Sequence, residues 1–479
     1  MGSHVGPGRS PDTIARRVSP FMNKRVKYGI ALVVAIQLAL IVAALALPPL
    51  IRALPGEMRV RLARIPVGAA LLDWRTTPMP MALPAPANAS ANARITIPTL
   101  AVPTGTPTIR ATAVQSEPSA QTEFTEPAAT TSFVPTNTPT AAPSPAATPT
   151  SEPLPSQARI EGVTIIPQGF NNCGPANLAI NLNFYGNPTT QTEAAAFLKP
   201  NRGDRNVSPW QMVDYVNEET DMRAFIASGG NLELLKRLIA AGFLVVIEKG
   251  YELPREGWLG HYLTIFGYDD EAGEMVSMDT NLGPWDGSGR YDTYEEVEHY
   301  WQQFNYTFFV VYPPEKEQQL YAILGTEMLE PATMWQNAAQ KAQAEIDADP
   351  ENAFAWFNLG SSLTRLGELT GDNAFYENGA VAFDQARTLG IPPRIVWYQF
   401  RPYIAYMKVG RYQDMLDLAE VTLETQGGRN VEETYLYQGH ALALTGDGPG
   451  AVAAYQQALR LNENFYPAQW ALDSIIENN

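Results

Sequence analysis

The sequence predicts an α+β domain followed by an all-α helical-repeat domain, preceded by a transmembrane helix and a disordered Pro/Thr-rich stalk. Three observations predict it. An uncharged apolar run lies near the N-terminus, a proline-dense stretch follows it, and near residue 315 strand-like runs give way to helical spacing of small and aromatic residues. At 479 residues the chain is too long for one ordinary core, so division into segments is expected.

The first segment, residues 1–28, is a basic tail. From Gly29 to Leu47 no charge occurs over 19 residues, and Gln37 is the only strongly polar side chain. As a helix this run spans about 28 Å, close to the hydrocarbon thickness of a bilayer. Arg16, Arg17, Lys24, Arg25 and Lys27 precede it, so the positive-inside rule puts the tail in the cytoplasm and the rest of the chain outside. Residues 29–51 are therefore expected to be a single cell-membrane span. A cleaved signal peptide is the alternative, since Ala44 to Ala46 reads as a small-x-small site.

Residues 52–157 are a juxtamembrane segment and a Pro/Thr/Ala/Ser-rich linker. Between Pro78 and Pro155 lie 16 of the chain's 39 prolines, each removing a backbone donor and fixing φ. From Thr77 to Gln157 no packed core is expected, and an extended stalk at about 3.1 Å per residue would reach up to about 250 Å.

The remainder carries 20 Lys and Arg against 43 Asp and Glu, a surface that repels phosphate backbones and excludes nucleic acid as the expected partner. The single cysteine cannot form an intrachain disulfide. With no CxxC, HExxH or Cys/His cluster, neither a metal nor another cofactor is expected.

In residues 158–314 the run CGPANLAINLNFYG predicts a helix. Pro175 suits its first turn, Leu178, Leu182 and Tyr185 recur at helical spacing, and Gly186 closes it. Cys173 then stands at the helix N-terminus, where the macrodipole and free N–H groups favour a thiolate. Of four histidines, His4 lies in the tail, His299 on a surface helix and His440 in the C-terminal helical part. His261 opens the strand-like run HYLTIFGY, after the Gly-rich stretch GYELPREGWLG, which reads as a loop. The turn DDEAG and the run EMVSMD complete a hairpin that returns Asp279 towards His261, with Asn281 near enough to substitute. A carboxylate there would orient the imidazole, and Gln168 with the Cys173 N–H would offer two donors to an oxyanion.

Together Q-x4-C-G-P-A-x-L-A, G-H-Y-L-T-I-F-G-Y-D-D and S-M-D-T-N resemble papain-like cysteine peptidases of family thirty-nine, and more closely the stand-alone domains called peptidase C-thirty-nine-like. The resemblance covers about 155 residues, including the closing YEEVEHYWQQFNYTFFVVYP. It implies a papain-like α+β fold with Cys173 as nucleophile, His261 as general base and acid, Asp279 as orienting residue and Gln168 in the oxyanion hole. The aspartate position in such domains is commonly followed by proline; here Thr280 follows it.

Residues 315–479 show the register of tetratricopeptide repeats. Gly439, Leu442, Ala451, Tyr455 and Ala458 keep it in the last unit. Trp356, Leu359, Gly360, Phe383 and Ala386 keep it in the first, with an extra loop of about seven residues expected near TGDNAFYE, and a middle unit starts at Tyr403. Stacked units would present a concave face for a peptide or protein, or would brace the catalytic domain. Trp356 and Trp397 are expected in the core.

The expected function is a membrane-anchored extracytoplasmic cysteine peptidase that cleaves peptide amide bonds, with the repeats recruiting substrate or a protein partner. Two alternatives share the fold: a peptidoglycan amide hydrolase or acyltransferase using the same site, and a catalytically idle scaffold.

Overall fold

The computed structural model describes residues 37, 82–86, 95, 97–98, 153–253, 257–425 and 427–477. The predicted basic tail and, apart from Gln37, the predicted span lie outside the described residues, as does most of the predicted linker. Among the described residues no helix is long and apolar enough to cross a membrane.

An antiparallel seven-stranded sheet forms the first folded region. Its strands are β1 (Gln157–Arg159), β2 (Arg223–Ala227), β3 (Val245–Leu253), β4 (Gly257–Asp269), β5 (Glu274–Met278), β6 (Arg290–Thr293) and β7 (Phe308–Tyr312). The order is β2-β7-β3-β4-β5-β6, with β1 pairing with the end of β4. Helices cover both faces, which is why the central strands read as near-continuous apolar runs rather than alternating ones.

On one face lie α1 (Cys173–Phe184), α2 (Gln191–Leu198) and α3 (Pro209–Glu219). Leu178, Leu182, Met212, Val213 and Val216 meet Val246, Tyr262, Phe309 and Val311 there. Each such leucine contributes about 1.5–3 kcal/mol by burial. On the other face α4 (Leu232–Ala240) sets Leu234, Leu235 and Leu238 against Val245, Ile247, Leu263 and Ile265. Helix α5 (Tyr294–Gln302) closes that side through Val297 and Trp301.

The C-terminal region is helical: α6 (Glu317–Leu329), α7 (Pro331–Ala348), α8 (Ala353–Thr370), α9 (Asn373–Thr388), α10 (Arg401–Lys408), α11 (Tyr412–Glu424), α12 (Glu432–Leu444), α13 (Gly448–Leu461) and α14 (Tyr466–Glu477). Glycine permits close approach between helices here. A Cβ on Gly360 would sit 2.9 Å from the Phe383 ring, and one on Gly439 would collide with Tyr455. The loop expected near TGDNAFYE is absent. Helix α8 runs on to Thr370, Gly371 ends it at φ 73°, and Asp372 caps α9 by accepting from Ala374 N–H, so the extra residues lengthen the helices. Trp397 is buried, whereas Trp356 is half-buried with its indole N–H donating to Pro350 O at 2.9 Å.

Two further expectations are corrected. The predicted stalk is packed where it is described: Leu83 is 3% exposed among Ile391, Tyr403 and Tyr406, its N–H donates to Ile391 O at 2.9 Å, and Arg387 Nε donates to Pro84 O at 2.9 Å. Prolines at 84 and 86 suit such a segment because an extended strap needs few donors of its own. At the other end Tyr268 donates to Pro155 O at 2.7 Å and Asp270 N–H to Ser156 O at 2.8 Å, so the sheet edge begins inside the predicted linker.

Candidate active site

The loop ahead of α1 is fixed before the helix begins. Gln191 accepts from Gly169 N–H at 2.8 Å and donates to Pro167 O at 2.9 Å, while Asn171 takes a left-handed φ of 56° that asparagine tolerates. Asn172 precedes Cys173 as N-cap without a side-chain cap bond. Helix geometry gives the Cys173 N–H no intrahelical acceptor, so it faces outward as a donor.

His261 is not at a strand entrance as expected. Strand β4 begins four residues earlier, and Lys249 pairs with His261 across the β3–β4 hairpin. Two of the three glycines that suggested a loop, Gly250 and Gly260, are close-approach positions inside paired strands, while Gly257 opens β4 at φ 71° with open space around it. A Cβ on Gly260 would lie 2.7 Å from Phe304 and 2.9 Å from Tyr398, and one on Gly250 would strike Gln303. Packing, not turning, is the role of Gly250 and Gly260.

The β4–β5 hairpin pairs Thr264 with Met278, and the next residue, Asp279, comes back to His261. His261 Nε2 lies 3.1 Å from Asp279 Oδ1, with both side chains 4% exposed. This leaves Nδ1 as the ring nitrogen available to Cys173, to which His261 is hydrogen bonded. Asp279 Oδ1 also accepts from Asn281 N–H at 2.9 Å and Leu282 N–H at 2.8 Å, which locks the carboxylate. Asn281 is turned away, donating to Tyr251 Oη at 3.1 Å, so it does not substitute for Asp279.

Gln168 is buried beneath the same point. Its N–H donates to Thr280 O at 2.9 Å and its Oε1 accepts from Thr280 Oγ1 at 2.8 Å, an arrangement that turns Nε2 away as the donor end. Thr280 thus holds the Gln168 amide. The structure brings Cys173, His261 and Asp279 together and ties Gln168 to Thr280, the residue after Asp279. His299 is exposed on α5, and His440 is bound to Tyr455 Oη at 2.9 Å in the helical region.

The electrostatics follow from burial and pairing. Burial pushes the Cys173 thiol up, but its hydrogen bond to His261 and the imidazolium charge reverse this and hold it below its ordinary value of 9.0. Burial pushes His261 down, yet the charge and hydrogen bond of Asp279, aided by Cys173, raise it from 6.5 to about 9. Burial raises Asp279, and His261 with the two backbone donors brings it below its ordinary value. Both shifts run in the direction that favours a thiolate beside an imidazolium. Among the described residues no group of three or more His, Cys, Asp or Glu is arranged to hold a metal ion.

Sequence reasoning missed what supports these groups. Asn177 Nδ2 donates to Cys173 O and to Tyr262 O, each at 2.9 Å, and Asn181 donates to Thr264 Oγ1 at 3.0 Å, lashing α1 to β4. Their sequence signal was asparagine at 177 and 181, one turn apart on the buried part of a mostly apolar helix. The helical region also reaches the site: Tyr398 packs on Trp258 and Phe304 at 5.9 and 5.8 Å and bonds the Gly260 backbone, and Arg394 donates to Trp258 O at 3.2 Å. On the cysteine side Asn462 and Asn464 donate to Leu198 O and Phe197 O, while Lys199 Nζ donates to Asn172 Oδ1 at 3.5 Å. No local pattern announces contacts more than a hundred residues apart.

An antiparallel sheet thus lies between helices, with a cysteine at a helix start and a histidine–aspartate pair on a neighbouring hairpin. Residues 153–308 match the family model described as the Peptidase_C39 like family. A crystal structure described as a C39-like peptidase from Bacillus anthracis is similar at 18% identity, covering 32% of this chain and 96% of that one, with a TM-score of 0.26. No curated protein matches the chain.

Proposed function

We propose that the chain is a cysteine peptidase that cleaves peptide amide bonds through Cys173, His261 and Asp279. The observation that carries this reading is His261, hydrogen bonded to Asp279 by one ring nitrogen and to Cys173 by the other side of the ring. The Cys173 thiolate attacks the scissile carbonyl carbon, forming a C–S bond, and the oxyanion is met by the Cys173 N–H and the Gln168 amide. His261 gives its proton to the departing amine as the C–N bond breaks. Water then attacks the thioester as His261 takes one of its protons, and the C–S bond breaks to release the carboxylic acid and return Cys173 as the thiolate.

We read the peptidase as tethered by the 29–51 span with its folded part outside the cell membrane. The α6–α14 region is read as a tetratricopeptide array that recruits substrate or a protein partner. An open hollow of about 400 Å³ on that region, lined by Leu416, Glu420, Leu423, Glu424, Arg429 and Gln438, is where recruitment is to be sought. The test is thiol alkylation of wild type against His261→Ala, beside digestion of a peptide library and of purified wall material. Equal labelling of both proteins overturns the mechanism; digestion of wall material alone moves the substrate to peptidoglycan.

A further inference from the structure

One buried carboxyl group near Cys173 is not used by the hydrolysis drawn above. Glu248 lies on β3 opposite Tyr262 of β4 and is 5% exposed. Its Oε1 is 3.1 Å from Tyr262 Oη, and the same hydroxyl is 2.9 Å from Val207 O. A phenol carries one proton, and a backbone carbonyl can only accept. Once Tyr262 donates to Val207 O, the shorter contact, the Glu248–Tyr262 contact is a full hydrogen bond only when the carboxyl oxygen bears a proton.

The surroundings agree. Burial is the largest influence on Glu248 and disfavours its charge, the Tyr262 hydroxyl acts against it, Cys173 adds to it, and the Arg401 guanidinium on α10 acts against it, with the net direction well above the ordinary carboxyl value. Tyr262 also feels Cys173 and Tyr398, so the groups facing this carboxyl come from α1, β4 and the helical region. Tyr262 and Val207 in turn abut the residue after the cysteine: a Cβ on Gly174 would lie 3.6 Å from each.

We propose that Glu248 is a positioning residue held as a neutral carboxylic acid, whose proton completes the chain Glu248 to Tyr262 to Val207 against the cysteine helix without setting a second negative charge beside the thiolate. This rests on the thiol site proposed above. An ionised Glu248 in that place would oppose the thiolate directly, whereas an absent one would leave the Tyr262 hydroxyl wall unbraced.

The experiment uses the full chain and iodoacetamide, with alkylation rates followed from about pH 5 to about pH 10 for wild type, Glu248→Gln, Glu248→Ala and His261→Ala. The glutamine amide supplies the same donor without charge, so its profile is expected to overlay wild type within about twofold, while alanine slows labelling about tenfold. An infrared difference spectrum, wild type minus Glu248→Gln at neutral pH, is expected to show the carbonyl stretch of a protonated carboxylic acid. An acid limb moved to lower pH by about one unit in Glu248→Gln, or a missing protonated-acid band, overturns the neutral carboxyl. A rate for folded Glu248→Ala equal to wild type overturns the positioning role; should alanine fail to fold, the glutamine profile and the infrared band decide. Equal labelling of His261→Ala and wild type overturns the thiol site itself, and the infrared band is read independently of it.

Discussion

Replacing Asp279 with asparagine isolates the charge on which the thiolate depends. The three hydrogen bonds to the Asp279 carboxylate end on Oδ1: His261 Nε2 at 3.1 Å, Asn281 N–H at 2.9 Å and Leu282 N–H at 2.8 Å. Asparagine keeps an oxygen there, so the turn after β5 survives and only the negative charge is lost. That charge is the first influence counteracting burial at His261. Carrying a histidine from 6.5 to about 9 corresponds to about 3 kcal/mol favouring imidazolium. With Asp279→Asn this support is removed, burial drives His261 towards the neutral ring, and the proton returns to Cys173. Iodoacetamide labelling at neutral pH is expected to fall about 100-fold, with a profile that rises only in the range of an ordinary thiol. Circular dichroism checks that the fold is kept. Labelling of a folded Asp279→Asn within about twofold of wild type would refute the electrostatic reasoning, because the ion pair would then not need the carboxylate.

The remaining predictions use other readouts. Gln168→Ala is expected to lower kcat for peptide hydrolysis about 100- to 1000-fold while leaving the labelling rate of Cys173 nearly unchanged, since the amide serves the oxyanion and not the thiolate. His261 also makes stability depend on pH: its pKa is 6.5 unfolded and about 9 folded, so the stabilisation is complete below 6.5 and lost as pH rises through about 9, about 3 kcal/mol in all. Urea midpoints should track that window in wild type and flatten in Asp279→Asn. Gly260→Ala forces a methyl to within 2.7 Å of Phe304 and 2.9 Å of Tyr398, and is expected to cost about 1–3 kcal/mol by overpacking, measured by urea unfolding.

What was legible in the sequence was local. Pro175 and Gly186 marked the ends of one helix, and two strand-like apolar runs about a turn marked the hairpin that joins His261 to Asp279. The start of β4 was not legible, because glycine reads as loop unless one knows that Phe304, Gln303 and Tyr398 fill the space above Gly250 and Gly260. Glu248 and Tyr262 looked like ordinary strand residues, since their meaning lies in a third partner, Val207 O, 55 residues from Tyr262. Leu83 was hidden by composition. Prolines around it predict an extended chain, but extension does not decide whether the chain lies on a surface or in solvent, and Ile391 O and Arg387 supply the partners that hold it there.

The boundary drawn near residue 314 by the change in periodicity is not a boundary in packing. One apolar cluster runs through it, from Ile247, Trp301 and Phe308 of the first region to Leu320, Trp335, Ala338 and Leu363 of the second. Polar contacts follow the same seam. Asn358 Nδ2 donates to Gln302 O at 2.6 Å, Asn305 Nδ2 to Ser362 Oγ at 2.9 Å, and Lys341 Nζ to Gly230 O at 2.8 Å. A chain ended at residue 314 would therefore expose Trp301 and Phe308 and leave several buried polar groups without partners, at about 1–3 kcal/mol each. Since a typical domain has only about 5–15 kcal/mol in hand, the segment 153–314 alone is expected to unfold at markedly lower urea than 153–477. It should also lose the fast labelling of Cys173, because Tyr398 and Arg394 hold the β4 strand that carries His261. A stable, fully reactive 153–314 fragment would show that the helical region is an appendage and not a wall of the site.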